Sequence, residues 1–216
     1  MSKYLDLTNN KDYTNLKEPA DIIKNGGLVV FPTETVYGIG ANSLKANAVK
    51  KLYKIKQRPL NKPISVLVSN IEMIENVAKD ISTIEYELMK EFFPGPLTII
   101  LKKKKNVPNI VTAGGETIGV RMPENEIALK LIEYVGYPIA TPSANISGNP
   151  SGIEIKNIMK EFEDKVDYYI DGGKSKLGVA STIVQVIDGV PHILREGSIL
   201  KKQIEDICKK VASKND

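Results

Sequence analysis

Strand-sized apolar runs bounded by glycine or proline recur along this chain, and they constrain its fold more than any other feature. Leu28–Phe31 stops at Pro32, Leu97–Leu101 follows Pro94-Gly95-Pro96, Ile118–Met122 stops at Pro123, and Pro138–Thr141 runs into Pro142. Each run is too short for a buried helix and suits a strand; a continuous run such as Leu28–Phe31 suits one covered on both faces. Between them lie stretches expected to be helical: Leu16–Asn25, Asn47–Gln57, Ile71–Lys79, Ser82–Phe92, Asn125–Val135 and Ile153–Phe162. Several show a clear apolar face, and Gly26-Gly27 stops the first. Lys3–Leu7, Ile64–Val68 and Tyr168–Ile170 add strands, and PTETVYGIGANS (32–43) reads as a loop. Asp188-Gly189 joins Thr182–Ile187 to His192–Arg195 as a type I′ hairpin, with Pro191 placing the second strand at an edge or at its first position. A last helix spans about 200–212. Strands alternating with helices, plus one hairpin, predict an α/β fold with a mixed sheet. Without repeats or a linker, residues 1–216 read as one domain.

Two counts restrict the chemistry. The chain has one cysteine, Cys208, and one histidine, His192. It therefore cannot build a Cys/His zinc cluster, a disulfide framework or a Cys-His pair by itself. A Ser-His-Asp triad would have to use His192, which reads as an ordinary strand residue, and Cys208 as a helix residue without chemistry. Catalysis must rest on Lys, Arg, hydroxyls, carboxylates and backbone amides. A formal net charge of +4 mildly favours anionic ligands. The polar start excludes a signal peptide, and no apolar run approaches a membrane span. A single thiol suits a reducing compartment, so a soluble, cytoplasmic protein without membrane partners is expected.

The densest chemical signal is Lys56-Gln57-Arg58-Pro59-Leu60-Asn61-Lys62-Pro63. A basic helix ends in two prolines that fix the exit direction and hold three cations together. Converging Lys and Arg suit a polyphosphate, although a solvated helix end is an equal reading of the same spacing. Lys102–Lys105 reads as a strand end running into solvent. The loop Pro32–Gly38 follows a buried strand and carries Thr33, Glu34, Thr35 and Tyr37, either at a ligand or capping its own turn with Tyr37 as core filler. A second hydroxyl-rich loop, 141–151, also follows a strand, and Gly178–Thr182 supplies a third hydroxyl pair. Neither a Walker P-loop nor a dinucleotide fingerprint is present. Arg121 and Arg195 sit within strands, where each needs an internal carboxylate or an anionic ligand.

Through PTETVYGIGAN, KIKQRPLNKPI, FPGPLTIIL, VTAGGETIGVRMP, PIATPSANISGNPS, GVASTIV and ILREG, the sequence resembles the YrdC-type family of L-threonylcarbamoyl-AMP synthases of tRNA modification. These segments lie in family order from Asn25 to Gly197. The resemblance implies an open, twisted α/β sheet with flanking helices and a positively charged concave face. It implies a nucleotidyltransferase that combines L-threonine, bicarbonate and ATP, with Mg²⁺ accompanying ATP, and releases pyrophosphate. A separate transferase complex then moves the group to an adenosine beside the tRNA anticodon. Lys56, Arg58, Lys62, Thr117, Ser143, Asn145, Ser151 and Arg195 would face ATP, with Lys56 and Arg58 as the catalytic pair. Thr35, Arg121, Thr141 and Ser181 would hold threonine, and no metal-ligating side chain is assigned.

Ala180 and Leu67 stand where some long-form members carry Glu and His, so the threonine pocket is expected to differ in detail. The chain ends soon after Arg195, so the long form's C-terminal domain is expected to be absent, leaving closure of the site to something else or to nothing. A related hydrogenase-maturation carbamoyltransferase carries Cys-rich zinc motifs that this chain lacks. The alternative reading is an RNA-binding protein that uses the same basic hollow for tRNA or rRNA without chemistry. A nucleotide hydrolase of the same fold is a third.

Overall fold

Residues 2–9 and 11–213 are described by the computed structural model. Its first half comprises β1 (Lys3–Asp6), α1 (Lys17–Lys24), β2 (Val29–Phe31), β3 (Gly38–Asn42), α2 (Ala46–Ile55), β4 (Val66–Leu67), β5 (Ala78–Lys79) and α3 (Thr83–Phe92). The remainder comprises β6 (Leu97–Lys103), β7 (Thr117–Arg121), α4 (Glu126–Val135), β8 (Ile139–Ala140), α5 (Ile155–Phe162), β9 (Tyr168–Asp171), β10 (Thr182–Ile187), β11 (Val190–Arg195) and α6 (Lys201–Ala212).

The strands form one open mixed sheet in the order β1-β9-β2-β3-β8-β4-β7-β6-β10-β11. The pairs β1–β9, β9–β2, β4–β7 and β6–β10 are parallel and the other neighbours antiparallel. β5 shares an edge of β6 with β10, pairing Lys102 and Lys103 while β10 takes Leu97 to Ile100. Around the sheet, α1 packs on β2, β3 and α4; α2 on β3; α5 on β9; α3 on β6 and α6; and α6 on β11. The apolar interior is continuous from Leu7 to Cys208. Among the described residues, no helix is long and apolar enough to cross a membrane.

Local chemistry explains most element ends. The Ser82 hydroxyl accepts from the Glu85 amide while the Glu85 carboxylate accepts from the Ser82 amide at 2.7 Å, a reciprocal cap that starts α3. Asn125 caps α4 and Gly136, at φ +82°, ends it. Asp188 and Gly189 both take positive φ, as the predicted I′ turn requires, and Pro191 lies on the edge strand β11.

Three expectations are corrected. Part of the expected loop 32–43 is a fully buried strand, β3, antiparallel to β2. Its glycines hide it from propensity, yet a Cβ at Gly40 would lie 2.7 Å from the Phe31 ring and 2.9 Å from Ile139, so packing excludes larger residues. Residues 71–79 are not a helix but a 3₁₀ turn, Glu72–Asn76, followed by β5. Pairing of Ala78 and Lys79 with the far end of β6 outweighs the local pattern there. The same pairing draws Lys103 out of solvent; it is buried, and its Nζ donates to Asn109 Oδ1 at 2.7 Å.

Candidate active site

The loop after β2 spends one threonine on itself and presents the next. Thr33 Oγ1 donates to the Val36 carbonyl at 2.6 Å and accepts from the Thr35 and Val36 amides, an ST-type turn. Thr35 is thereby held one residue beyond Glu34. Tyr37 fills the core, its hydroxyl donating to Gly173 O at 2.6 Å and accepting from the Gly172 amide at 3.1 Å. Burial pushes its phenol pKa up. The Tyr37 main chain also accepts from the Ala144 amide at 2.7 Å and donates to Gly152 O at 2.9 Å, tying the second hydroxyl-rich loop to the first. Gly38 makes that approach possible, since a Cβ there would lie 2.4 Å from Thr141 Cγ2.

At the end of α2 the two predicted catalytic cations part company. Arg58 is braced at the surface of a hollow, Nε donating to Lys62 O at 3.1 Å and Nη2 to Pro63 O at 2.8 Å. Lys56 is instead 1% exposed and does not line the hollow. Its Nζ donates to the Ser143 carbonyl at 2.6 Å and to the Asn145 carbonyl, and its own carbonyl accepts from the Ser147 amide at 2.8 Å. Burial, reinforced by the Arg58 charge and opposed by Glu161, pushes its pKa down to about 8. Lys56 thus fastens loop 143–147 and is turned away from the hollow that Arg58 lines. Asn145 is likewise turned inward, its Nδ2 donating to Ile146 O and Asn149 O at 2.9 Å while its Oδ1 takes the Ser143 hydroxyl at 2.5 Å. Lys62 is exposed and contributes its carbonyl to Arg58 and to the Tyr53 hydroxyl.

The other wall comes from β6, β7 and the hairpin. Arg121 is buried at the end of β7, Nε donating to Gly95 O at 3.2 Å and Nη2 lying 2.7 Å from Glu34 Oε2. Beyond that charge contact, no donor reaches either Glu34 oxygen among the described residues. The internal carboxylate that Arg121 required is thus Glu34. Arg195 donates from Nε and Nη2 to Ser181 O at 3.0 and 2.7 Å, and from Nη2 to Ser181 Oγ at 3.0 Å. Desolvation and the neighbouring charges of Arg121 and Arg58 lower its pKa. Ser181 Oγ also shares a 2.8 Å hydrogen bond with Thr98 Oγ1.

These pieces enclose a hollow of about 190 Å³. Arg58, Arg121 and Arg195 line it, together with Thr35, Thr141, Ser143, Ser151 and Ser181. Eight of the twelve predicted residues are brought together; Lys56, Lys62, Asn145 and Thr117 are not. Thr117 starts β7, roughly 13 Å along the strand from Arg121 at 3.3 Å per residue, and lines a separate cleft with Ser82 and Asp188. Thr98 and Ser65 also line the hollow and were missed. Each is a lone hydroxyl inside an apolar strand run, and that interruption was the available signal. Among the described residues, no three His, Cys, Asp or Glu side chains converge as a metal cage.

A family profile for Sua5/YciO/YrdC, described as telomere recombination, matches residues 21–197. The threonylcarbamoyl-AMP synthase of Pyrococcus abyssi is 45% identical over 188 residues, covering 87% of this chain and 55% of that protein. A putative threonylcarbamoyl-AMP synthase of Methanocaldococcus jannaschii is 44% identical, covering 82% of this chain and 83% of its own length. The crystal structure of P. abyssi Sua5 complexed with L-threonine superposes with a TM-score of 0.91 at 41% identity, covering 96% of this chain and 60% of that one. The chain thus spans little more than half the length of the Pyrococcus relative.

Proposed function

Because the chain belongs to the Sua5/YciO/YrdC family, we propose that it makes L-threonylcarbamoyl-AMP from L-threonine, bicarbonate and ATP, releasing pyrophosphate. The observation that carries this reading is the convergence of three guanidinium groups and seven hydroxyl side chains on one hollow. The names of the relatives and the threonine complex of the P. abyssi structure support it.

In the proposed reaction the threonine amine attacks the carbon of bicarbonate and water leaves, giving an N-carboxylate. An oxygen of that carboxylate attacks the α-phosphorus of ATP, and the bond from that phosphorus to the bridging oxygen breaks with loss of pyrophosphate. Both reactants are anionic, so electrostatics supply much of the barrier. Preorganised donors in a water-poor cleft offset it by a few kcal/mol each, on the order seen when one oxyanion-hole donor is removed. Arg58 and Arg195 receive the triphosphate with Ser143 and Ser151. Arg121 receives the threonine carboxylate, with Thr35, Thr141 and Ser181 around the rest of the amino acid. Lys56 and Asn145 act through the loop that presents Ser143. The donor set does not fit a protein-held Mg²⁺, so the ion is assigned to the phosphates and water of the incoming nucleotide. The product would pass to a transferase complex acting on tRNA, in the cytoplasm.

Mass spectrometry of reactions containing ATP, L-threonine and bicarbonate tests the reading directly. The threonylcarbamoyl adenylate is expected only with all three present, and Arg58→Ala should abolish most of it. ATP turnover independent of threonine would instead identify a hydrolase. Failure to bind either ligand, alongside salt-steep RNA affinity, would identify an RNA-binding protein.

A further inference from the structure

The three guanidinium groups of the hollow are not held alike. Arg58 and Arg195 are braced by backbone carbonyls and one hydroxyl, which orient a cation without cancelling its charge. Arg121 alone faces a carboxylate, that of Glu34, at 2.7 Å. Glu34 is 3% exposed and lies behind Arg121, outside the lining of the hollow. Its main chain is fixed, its carbonyl accepting from the Leu177 amide at 2.8 Å. Arg121 Nη2 is thus the one group among the described residues that meets the Glu34 carboxylate, so the two charges are set against each other at the wall of the hollow.

We propose that Glu34 is a specificity-determining and positioning residue that keeps the Arg121 end of the hollow electrically neutral, so that at the binding step, before the amine is carboxylated, this end takes a zwitterionic amino acid in preference to a bare anion. This rests on the reading of the hollow as a threonylcarbamoyl-AMP synthase site. With Glu34 ionised, a zwitterion leaves the region neutral, whereas a carboxylate or phosphate lacking an ammonium leaves a net negative charge away from water. Without Glu34 the preference inverts: an anion neutralises Arg121, and the ammonium of an amino acid becomes the uncompensated charge. The uncancelled charges of Arg58 and Arg195 then draw the triphosphate to the opposite end. One hollow thereby sorts two ligands, both bearing anionic groups, into separate places before they react.

The test is calorimetry on the whole chain with L-threonine and with 3-hydroxybutyrate, which keeps the carboxylate, hydroxyl and methyl but lacks the ammonium. Wild type should bind threonine at least tenfold more tightly than 3-hydroxybutyrate. Glu34→Gln should lower that ratio at least tenfold, and Glu34→Asp, which keeps the charge, should retain it. Threonine binding by Glu34→Gln with an unchanged ratio, or loss of the ratio in Glu34→Asp, would overturn the proposal alone. A wild type that binds no threonine would overturn the functional reading and this proposal with it. Glu34→Gln leaves a buried guanidinium without a counter-charge and can fail to fold, so a wild-type measurement stands beside it. Pyrophosphate, at a concentration that displaces ATP, should leave threonine bound; displacement of threonine would overturn the proposal whatever the variants do.

Discussion

Replacing Lys56 by Met separates the role seen in the structure from the one the sequence suggests. The side chain is almost wholly buried, with its ammonium on two carbonyls of the loop that presents Ser143. Lowering its pKa from 10.5 to about 8 corresponds to a charging cost of about 3 kcal/mol in the folded state. Because the two carbonyl acceptors favour the ammonium, this figure is a ceiling. Met removes that cost but leaves the Asn145 carbonyl without a donor, at about 1–3 kcal/mol, while the Ser143 carbonyl keeps the Asn145 amide at 3.1 Å. At pH 7 these terms nearly cancel, so stability there says little; its pH dependence discriminates. Between pH 8 and 10.5 the unfolded chain still holds the Lys56 proton while the folded chain has released it, so wild-type stability rises with pH relative to the variant. Urea unfolding of both proteins from pH 7 to 10.5 should show the stability difference, wild type minus Lys56→Met, growing by up to about 3 kcal/mol. Taking the difference removes the opposing contribution of the buried tyrosines common to both. Parallel curves would refute the buried-ammonium argument. At pH 7.5 product formation should fall about 100-fold, the scale of an ångström-sized misplacement, with KM for ATP raised.

Two further outcomes follow from packing and from the hydroxyls of the hollow. A Cβ at Gly197 would lie 2.4 Å from Ala180 O and Thr182 N and 2.5 Å from Ser181 C, all main-chain atoms. Gly197→Ala should therefore cost about 1–3 kcal/mol, a fall of about 2–4 °C in Tm per kcal/mol by calorimetry, and raise KM for threonine as Ser181 moves; an unchanged Tm would contradict this. With valine in place of threonine, kcat/KM for product formation should drop about 10⁴-fold, because buried hydroxyls lose their partner, and with serine about 10–100-fold for the missing methyl. Equal rates would refute hydroxyl-plus-methyl selection.

The parts of the site legible in the sequence are those whose punctuation is local. Proline and glycine mark where the loops leave β2 and β8, so Thr35, Thr141, Ser143 and Ser151 could be placed on strand ends, and Arg121 and Arg195 stood out as cations in apolar runs. What was not legible depends on partners distant in the chain. Lys56 and Arg58 are two residues apart at the end of one helix, and only the return of loop 143–147 decides that one is enclosed and the other faces the hollow. Nothing near Glu34 announces Arg121, 87 positions away. β3 is disguised by two glycines that Thr141, Phe31 and Ile139 demand, and β5 exists only because β6 offers an edge. The family resemblance alone brought in Thr117, and the spacing of the cations also suggested Lys62; neither lines the hollow formed by this chain.

The way each arginine is braced bears on how the proposed reaction runs. A guanidinium has five donors in a fixed fork, and some must be satisfied by the protein if the group is to stay oriented before substrate arrives. Carboxylates would do this most strongly, but each would remove a unit of the charge that the triphosphate needs. Arg58 and Arg195 avoid that loss through carbonyls of Lys62, Pro63 and Ser181, which supply orientation through dipoles. Desolvation first, and then the charges of Arg121 and Arg58, lower the pKa of Arg195. In the proposed reaction an incoming polyanion would pair with Arg58 and Arg195 and offset the repulsion between them as negative charge gathers at the phosphates.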